Sequence, residues 1–195
     1  IDHLRKYLFA SLEGWSGFFR HLTENALYFK PPIGFFRNFV VESKGEHRNA
    51  FDIKRAIMPI VDFARIYALK NGIEETNTLT RLDHLRLRKT LSLQEYEELE
   101  KAYSFLMQLR FVRQITAIMD DNTGPDNYIN PTKLTHIEQT MLKEIFKRIE
   151  KWLADHTSAI IAISQSQKKE LVQVHDIAPA DKVHLIRLGF DLSHF

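Results

Sequence analysis

The sequence predicts a mainly α-helical protein, a helical bundle followed by a small, incomplete β-α-β segment, and three observations carry that expectation. Up to about Trp152 the apolar residues recur at spacings of three and four, the period of a helical stripe rather than of a strand. Glycine and proline, 7 and 6 of the 195 residues, gather at a few points between those runs instead of interrupting them. From Ala159 the pattern changes to a short continuous apolar run, a polar helix-like stretch and a second apolar run, which is the order strand, helix, strand.

Each element has its own local reason. Asp2 to Phe29 reads as one or two helices broken near Gly14 and Gly17, and Pro31-Pro32 must stop the second because the residue before a proline avoids the α region. Gly34 to Val41 is rich in Phe and Val and fits a short strand, a hairpin or an apolar loop. From Phe51 to Leu69 the positions Ile53, Ile57, Ile60, Val61, Ala64 and Ala68 share one arc, with Gly72 as the stop, so this is the expected central helix. Pro59 inside it removes one backbone donor and predicts a kink or a restart. Thr78 to Lys89 fits a short helix, and the capping-box spacing Ser92 to Glu95 opens the longest one, running toward Met119. Asp120 to Pro131 has the composition of a turn-rich loop. A second capping box, Thr135 to Glu138, starts a helix whose face carries Leu142, Ile145, Ile149 and Trp152. The expected core includes Ile57, Ile60, Ala64, Leu99, Leu106, Leu142 and Ile149.

Composition narrows the function classes. Hydrophobic residues make up 44% and charged residues 27%, which disfavours disorder and fibrous repeats. A formal charge of +2 gives no reason to expect nucleic acid or an anionic membrane as partner. The absence of cysteine removes disulfides, thiolate metal sites and thiol nucleophiles together, and with no signal-peptide pattern at the start it leads us to expect a cytoplasmic protein. The first residue is Ile, so the chain is expected to be cut from something longer. No apolar run approaches the roughly 18 to 20 residues needed to cross a bilayer.

Five runs in fixed order carry a family resemblance across residues 1 to about 151: Phe29-Lys30-Pro31-Pro32-Ile33-Gly34-Phe35-Phe36; Phe51-Asp52-Ile53-Lys54-Arg55 with Pro59 to Arg65; Asn77 to Leu82; Leu109-Arg110 with Gln114; and Asp126-Asn127-Tyr128-Ile129-Asn130-Pro131. Together they resemble the nucleotidyltransferase substrate-binding domain family. The resemblance implies a helical module that follows a catalytic domain similar to the PII uridylyltransferase core, in bacterial signalling proteins that also carry CBS and cyclic-nucleotide-binding modules. On that reading residues 1–28 are junction helices, 29–151 the substrate-binding domain and 152–195 an α/β segment. The implied partners are a nucleotidyltransferase domain in cis and a protein or nucleotide-linked substrate. No cofactor is expected in this chain, with Mg²⁺ and nucleoside triphosphate confined to the catalytic domain. Residues 150–195, through Ala159 to Ser164 and Val183 to Asp191, resemble the end of the N-terminal half of a retaining glycosyltransferase, which suggests a fused or mis-joined frame near Glu150 to Trp152.

The residue chemistry agrees with a noncatalytic role. A nucleotidyltransferase presents an Asp-x-Asp pair after a Gly-Ser turn to hold Mg²⁺, whereas Asp120-Asp121 are adjacent and follow a helix. The nine histidines, His21, His47, His84 and His136 among them, form no metal-ligand pair on one helix. The candidate substrate-binding residues are Lys54, Arg55, Asp62 and Arg65, which fall in one arc of the central helix, with Arg81, Arg110, Arg113 and Gln114 extending the site if their helices meet it. Two guanidinium groups and an ammonium beside one carboxylate leave donors for a phosphate or carboxylate. The plainer reading is an Asp62–Arg65 pair worth about 0.2 to 0.5 kcal/mol with the rest solvated or packed against the catalytic domain. The aromatic cluster Phe29, Phe35, Phe36 and Phe39 reads as a plug over one end of the bundle, with a ligand or partner surface as the alternative. A glycosyltransferase fragment and a helical scaffold without a small-molecule site remain the rival readings.

Overall fold

The computed structural model describes residues 2–26, 29, 31–34, 38–119, 124–155 and 157–186. The chain is mainly α-helical, as expected, and forms two compact units, one of residues 1–32 and 41–134 and the other of residues 33–40 and 135–195. Of the residues singled out in the sequence, Lys30, Phe35, Phe36, Asp120, Asp121 and the run from Arg187 to Asp191 lie outside the described ones.

The first unit is built around one helix. Helices α1 (Asp2–Leu12) and α2 (Ser16–Ala26) are separated at Gly14, whose φ of 76° lies in the left-handed region that glycine enters without a Cβ penalty. The central helix α3 (Lys54–Lys70) packs against α2, α4 (Thr78–Leu87) and α5 (Leu93–Met119). That explains why Ala56, Ile57, Ile60, Phe63, Ala64, Ile66 and Ala68 are buried over more than one stripe of it. The other helices contribute Leu82, Leu85, Leu99, Leu106 and Leu109 to the buried interior.

Two expectations for α3 need correction. The helix begins at Lys54, because Phe51–Asp52 form a strand, β1, paired antiparallel with β2 (Tyr128–Ile129), and the Ile53 N–H donates to the Asn127 carbonyl at 3.0 Å. Ile53 is the N-cap, its carbonyl accepting the Ile57 N–H at 3.2 Å, so it keeps its expected place on the buried arc, and only Phe51–Asp52 leave the helix. Pro59 causes no restart: α3 is continuous through it.

The turns explain how the chain doubles back. After α3 the Ile73 N–H reaches the Ala68 carbonyl at 2.8 Å and the Gly72 N–H reaches Leu69 at 3.1 Å, with Gly72 at φ 64°, a Schellman stop. Asn77 then caps α4, its side-chain oxygen accepting from the Leu79 and Thr80 N–H groups. The predicted capping box at α5 is formed in both directions, Ser92 N–H to Glu95 at 2.8 Å and Glu95 N–H to the Ser92 hydroxyl at 3.2 Å. With 27 residues, α5 is the longest helix among the described residues, as its stripe foretold.

In the second unit the Thr135 and Glu138 capping box starts α6 (His136–Asp155), which buries Leu142, Phe146 and Ile149. All seven expected core residues of the two units are 5% exposed or less. The 33–40 segment closes on itself through an antiparallel Ile33–Phe39 bridge, and Phe39 meets Phe146 edge-on at 6.2 Å. Strands β3 (Ile160–Ala162) and β4 (Val183–Leu185) pair in parallel around α7 (Gln165–Lys169) and a wider π turn (Glu170–Val174), the order the sequence indicated. Their small core joins Ala162, Ile177, Ala178 and Val183 to Ala154 of α6. The helix α6 runs unbroken through Glu150 to Trp152, so the change to α/β grammar comes after Asp155.

Candidate anion-binding site

The predicted residues separate into two groups, both organised by α3. In the first, Asp62 projects from α3 with only 9% of its side chain exposed and accepts a hydrogen bond from the Arg65 Nη1 at 3.0 Å. Burial raises the Asp62 pKa above its ordinary value, against the opposing pull of the Arg65 charge. The reversal at Gly72 brings α4 onto α3 and with it Arg81, whose Nε donates to the Glu75 carbonyl at 2.6 Å. Partial burial and then the nearby Arg65 charge lower the Arg81 pKa. Arg81 nevertheless stays charged at any physiological pH, because an arginine does not deprotonate there.

The Arg65 charge therefore acts on Arg81 as a like charge, while burial disfavours the Asp62 anion that Arg65 pairs with. An anion placed between Arg65 and Arg81 would relieve that repulsion and accept directional N–H donors. The Asp62–Arg65 pair of the plainer reading is therefore present, and the second guanidinium is what it did not include.

The second group lies at the other end of α3. Arg110 does not join Asp62; its Nε donates to the Asn127 Oδ1 at 2.8 Å, and Gln114, one helical turn on, donates to the same oxygen at 3.2 Å. Arg113 grips Asp126 through two hydrogen bonds, at 3.0 and 2.5 Å, and Asp126 also accepts the Tyr128 N–H at 2.7 Å. Burial pushes the Asp126 pKa up, but the Arg113 hydrogen bond, the Tyr128 N–H and the Arg113 and His47 charges outweigh it and hold the carboxyl below its usual range. His47 stacks on Tyr128 with ring centroids 3.6 Å apart.

Lys54 and Arg55 occupy the exposed first turn of α3, beside this clasp. Cations there oppose the helix dipole, and the Asp52 carboxylate that accepts the Lys54 N–H at 2.9 Å offsets part of that cost. Arg55 is a full helix turn or more from the Asp62 pair and faces solvent.

Two other features hold no site. A concavity of about 460 Å³ is lined by His3, Lys6, Tyr7 and Ala10, all from α1. Among the described residues no three His, Asp or Glu side chains come together as a metal would require, and no helix is long and apolar enough to cross a membrane.

The quoted sequence runs thus meet in space: Pro59 to Arg65 with Asn77 to Leu82 at the first group, and Phe51 to Arg55, Leu109 to Gln114 and Asp126 to Pro131 at the second. Residues 16–158 match the model of the family described as "Putative nucleotidyltransferase substrate binding domain", and the chain belongs to that family. That match continues past Glu150 to Trp152 to include the whole of α6. Searches of curated proteins and of solved structures returned no match, and the glycosyltransferase likeness of residues 150–195 has no support from any comparison.

Proposed function

We propose that the chain is a noncatalytic substrate-binding module that holds an anionic group of the substrate between Arg65 and Arg81, for transfer by a PII uridylyltransferase-like catalytic domain in cis. The observation that carries this reading is the Asp62–Arg65 pair on α3, at 3.0 Å, with α4 and its Arg81 packed on the same helix. The family membership supports the connection to nucleotidyl transfer. In this reading Mg²⁺ and the nucleoside triphosphate belong to the catalytic domain, and the setting is a bacterial cytoplasmic signalling protein with CBS modules. Lys54, Arg55 and Arg110 line the far end of α3 and are the weaker contributors.

The test is a thermal-shift titration with inorganic phosphate and with a nucleoside monophosphate at low salt. A ligand at about 100 times its Kd stabilises by about 2.7 kcal/mol, well within reach of the measurement. Loss of the shift in Arg65→Ala/Arg81→Ala, with retention in Lys54→Ala/Arg55→Ala, is the expected outcome. An equal shift in all three proteins would return the arginines to a purely structural role.

A further inference from the structure

The solvent face of α5 changes character along its length. Taking about 100° per residue, Glu97, Lys101, Ser104 and Gln108 share one arc in the first four turns, as a solvated helix face should. The same arc continues as Phe111, Val112, Ile115, Ile118 and Met119, which are 53, 55, 55, 54 and 75% exposed. Arg110, Arg113 and Ala117 lie on the opposite side, where Arg110 and Arg113 are held by Asn127 and Asp126 and Ala117 is fully buried. The exposed arc from Phe111 to Met119 therefore contains no charged residue. Scattered exposed apolar residues are ordinary, but five contiguous ones on a rigid helix are the mark of an interaction surface.

We infer that this half of α5 is the contact between two copies of the chain, paired antiparallel about a two-fold axis near Ile115. Three features select a second copy as occupant. The spacing Phe111, Ile115, Ile118 alternates four and three, the a/d seam that two helices share, with Val112 and Met119 flanking it. The patch is uncharged, so an identical patch is complementary to it, and the antiparallel arrangement sets Phe111 of one copy beside Met119 of the other, as an isologous contact requires. The exposed area of these five side chains is about 500 Å² per copy, so complete coverage in the pair would bury about 1,000 Å², the size at which a biological interface begins. The polar half of the same face marks where the contact ends.

Because the chain has no cysteine, a single introduced one reports the contact directly. Ile115→Cys sits at the two-fold axis and should form a disulfide-linked dimer under mild oxidation of the full chain, whereas Ser104→Cys, on the polar half, should not. In parallel, sedimentation of the unmodified chain at about 50 μM should give a dimer that Ile115→Glu/Ile118→Glu converts to a monomer with an unchanged helical circular-dichroism signal. A monomer for the unmodified chain, equal cross-linking at both positions, or a dimer that survives the double substitution each overturns the inference.

Discussion

Asp62 with Arg65 and Asp126 with Arg113 are both carboxylate–guanidinium pairs of the first unit, yet their electrostatics are opposite. Asp126 receives two hydrogen bonds from Arg113 and one from the Tyr128 backbone, and its carboxyl is stabilised as the anion. Asp62 receives one from a neighbour on its own helix, and burial destabilises its anion. The Asp126–Arg113 pair joins α5 to the β2 loop across 13 residues. The Asp62–Arg65 pair stays within α3, on which α4 packs with Arg81, and a single hydrogen bond answers the buried carboxylate. A satisfied pair holds a fold together, and an under-compensated one is where an anion gains most by binding.

The largest expected effect follows from breaking the complete pair. Asp126→Ala removes the carboxylate that takes two hydrogen bonds from Arg113, only 25% exposed, and one from the Tyr128 N–H, so stability should fall by about 2 to 3 kcal/mol. Urea unfolding of the two proteins measures this. A loss below about 0.5 kcal/mol would mean that the clasp is as dispensable as a surface ion pair.

Removing both arginines of the other group should have the reverse profile. Arg65→Ala/Arg81→Ala takes the Arg65 hydrogen bond from Asp62, whose side chain is 9% exposed, so it is expected to cost about 1 to 2 kcal/mol, while phosphate binding disappears. Asp62→Asn should go further in the same direction. Its amide oxygen can still accept from Arg65, but the competing negative charge is gone, so phosphate affinity should rise several-fold at nearly unchanged stability. Weaker binding in Asp62→Asn would show that the carboxylate orients Arg65 more than it competes with the ligand.

How much of this was legible in the sequence depends on the range over which each feature is decided. The two capping boxes, the α5 stripe and the seven core positions follow from residues three or four apart, and periodicity found them. The β1–β2 pair was missed because Phe51–Asp52 and Tyr128–Ile129 are two residues each and lie far apart in the chain, too short for an alternation to register. The same holds for the site. Asp62 with Arg65 was visible at i+3, but the approach of Arg81 needed the reversal at Gly72, and the Arg113–Asp126 clasp spans a loop that composition alone classed as a turn. The only sequence signal for that clasp was the order of the family motifs, which gave no hint of which arginine met which partner.

The smallest effect is in the pH dependence, and it separates the two carboxylates by sign. The Asp126 pKa is depressed below 3.8, so its stabilisation is complete above that value and is lost as the pH falls through the folded-state pKa. The Asp62 pKa is raised above 3.8, so between 3.8 and its folded-state value the folded chain binds more protons than the unfolded one. Its contribution therefore grows more favourable as the pH falls through that window and is constant below it. Asp126→Asn should remove a decline in stability that lies below pH 3.8, and Asp62→Asn should remove a small gain that lies above it. Urea midpoints at intervals between pH 3 and pH 6 for the three proteins test both signs at once. A decline removed by both substitutions would mean that Asp62 is held as firmly as Asp126, and the contrast on which the anion site rests would be gone.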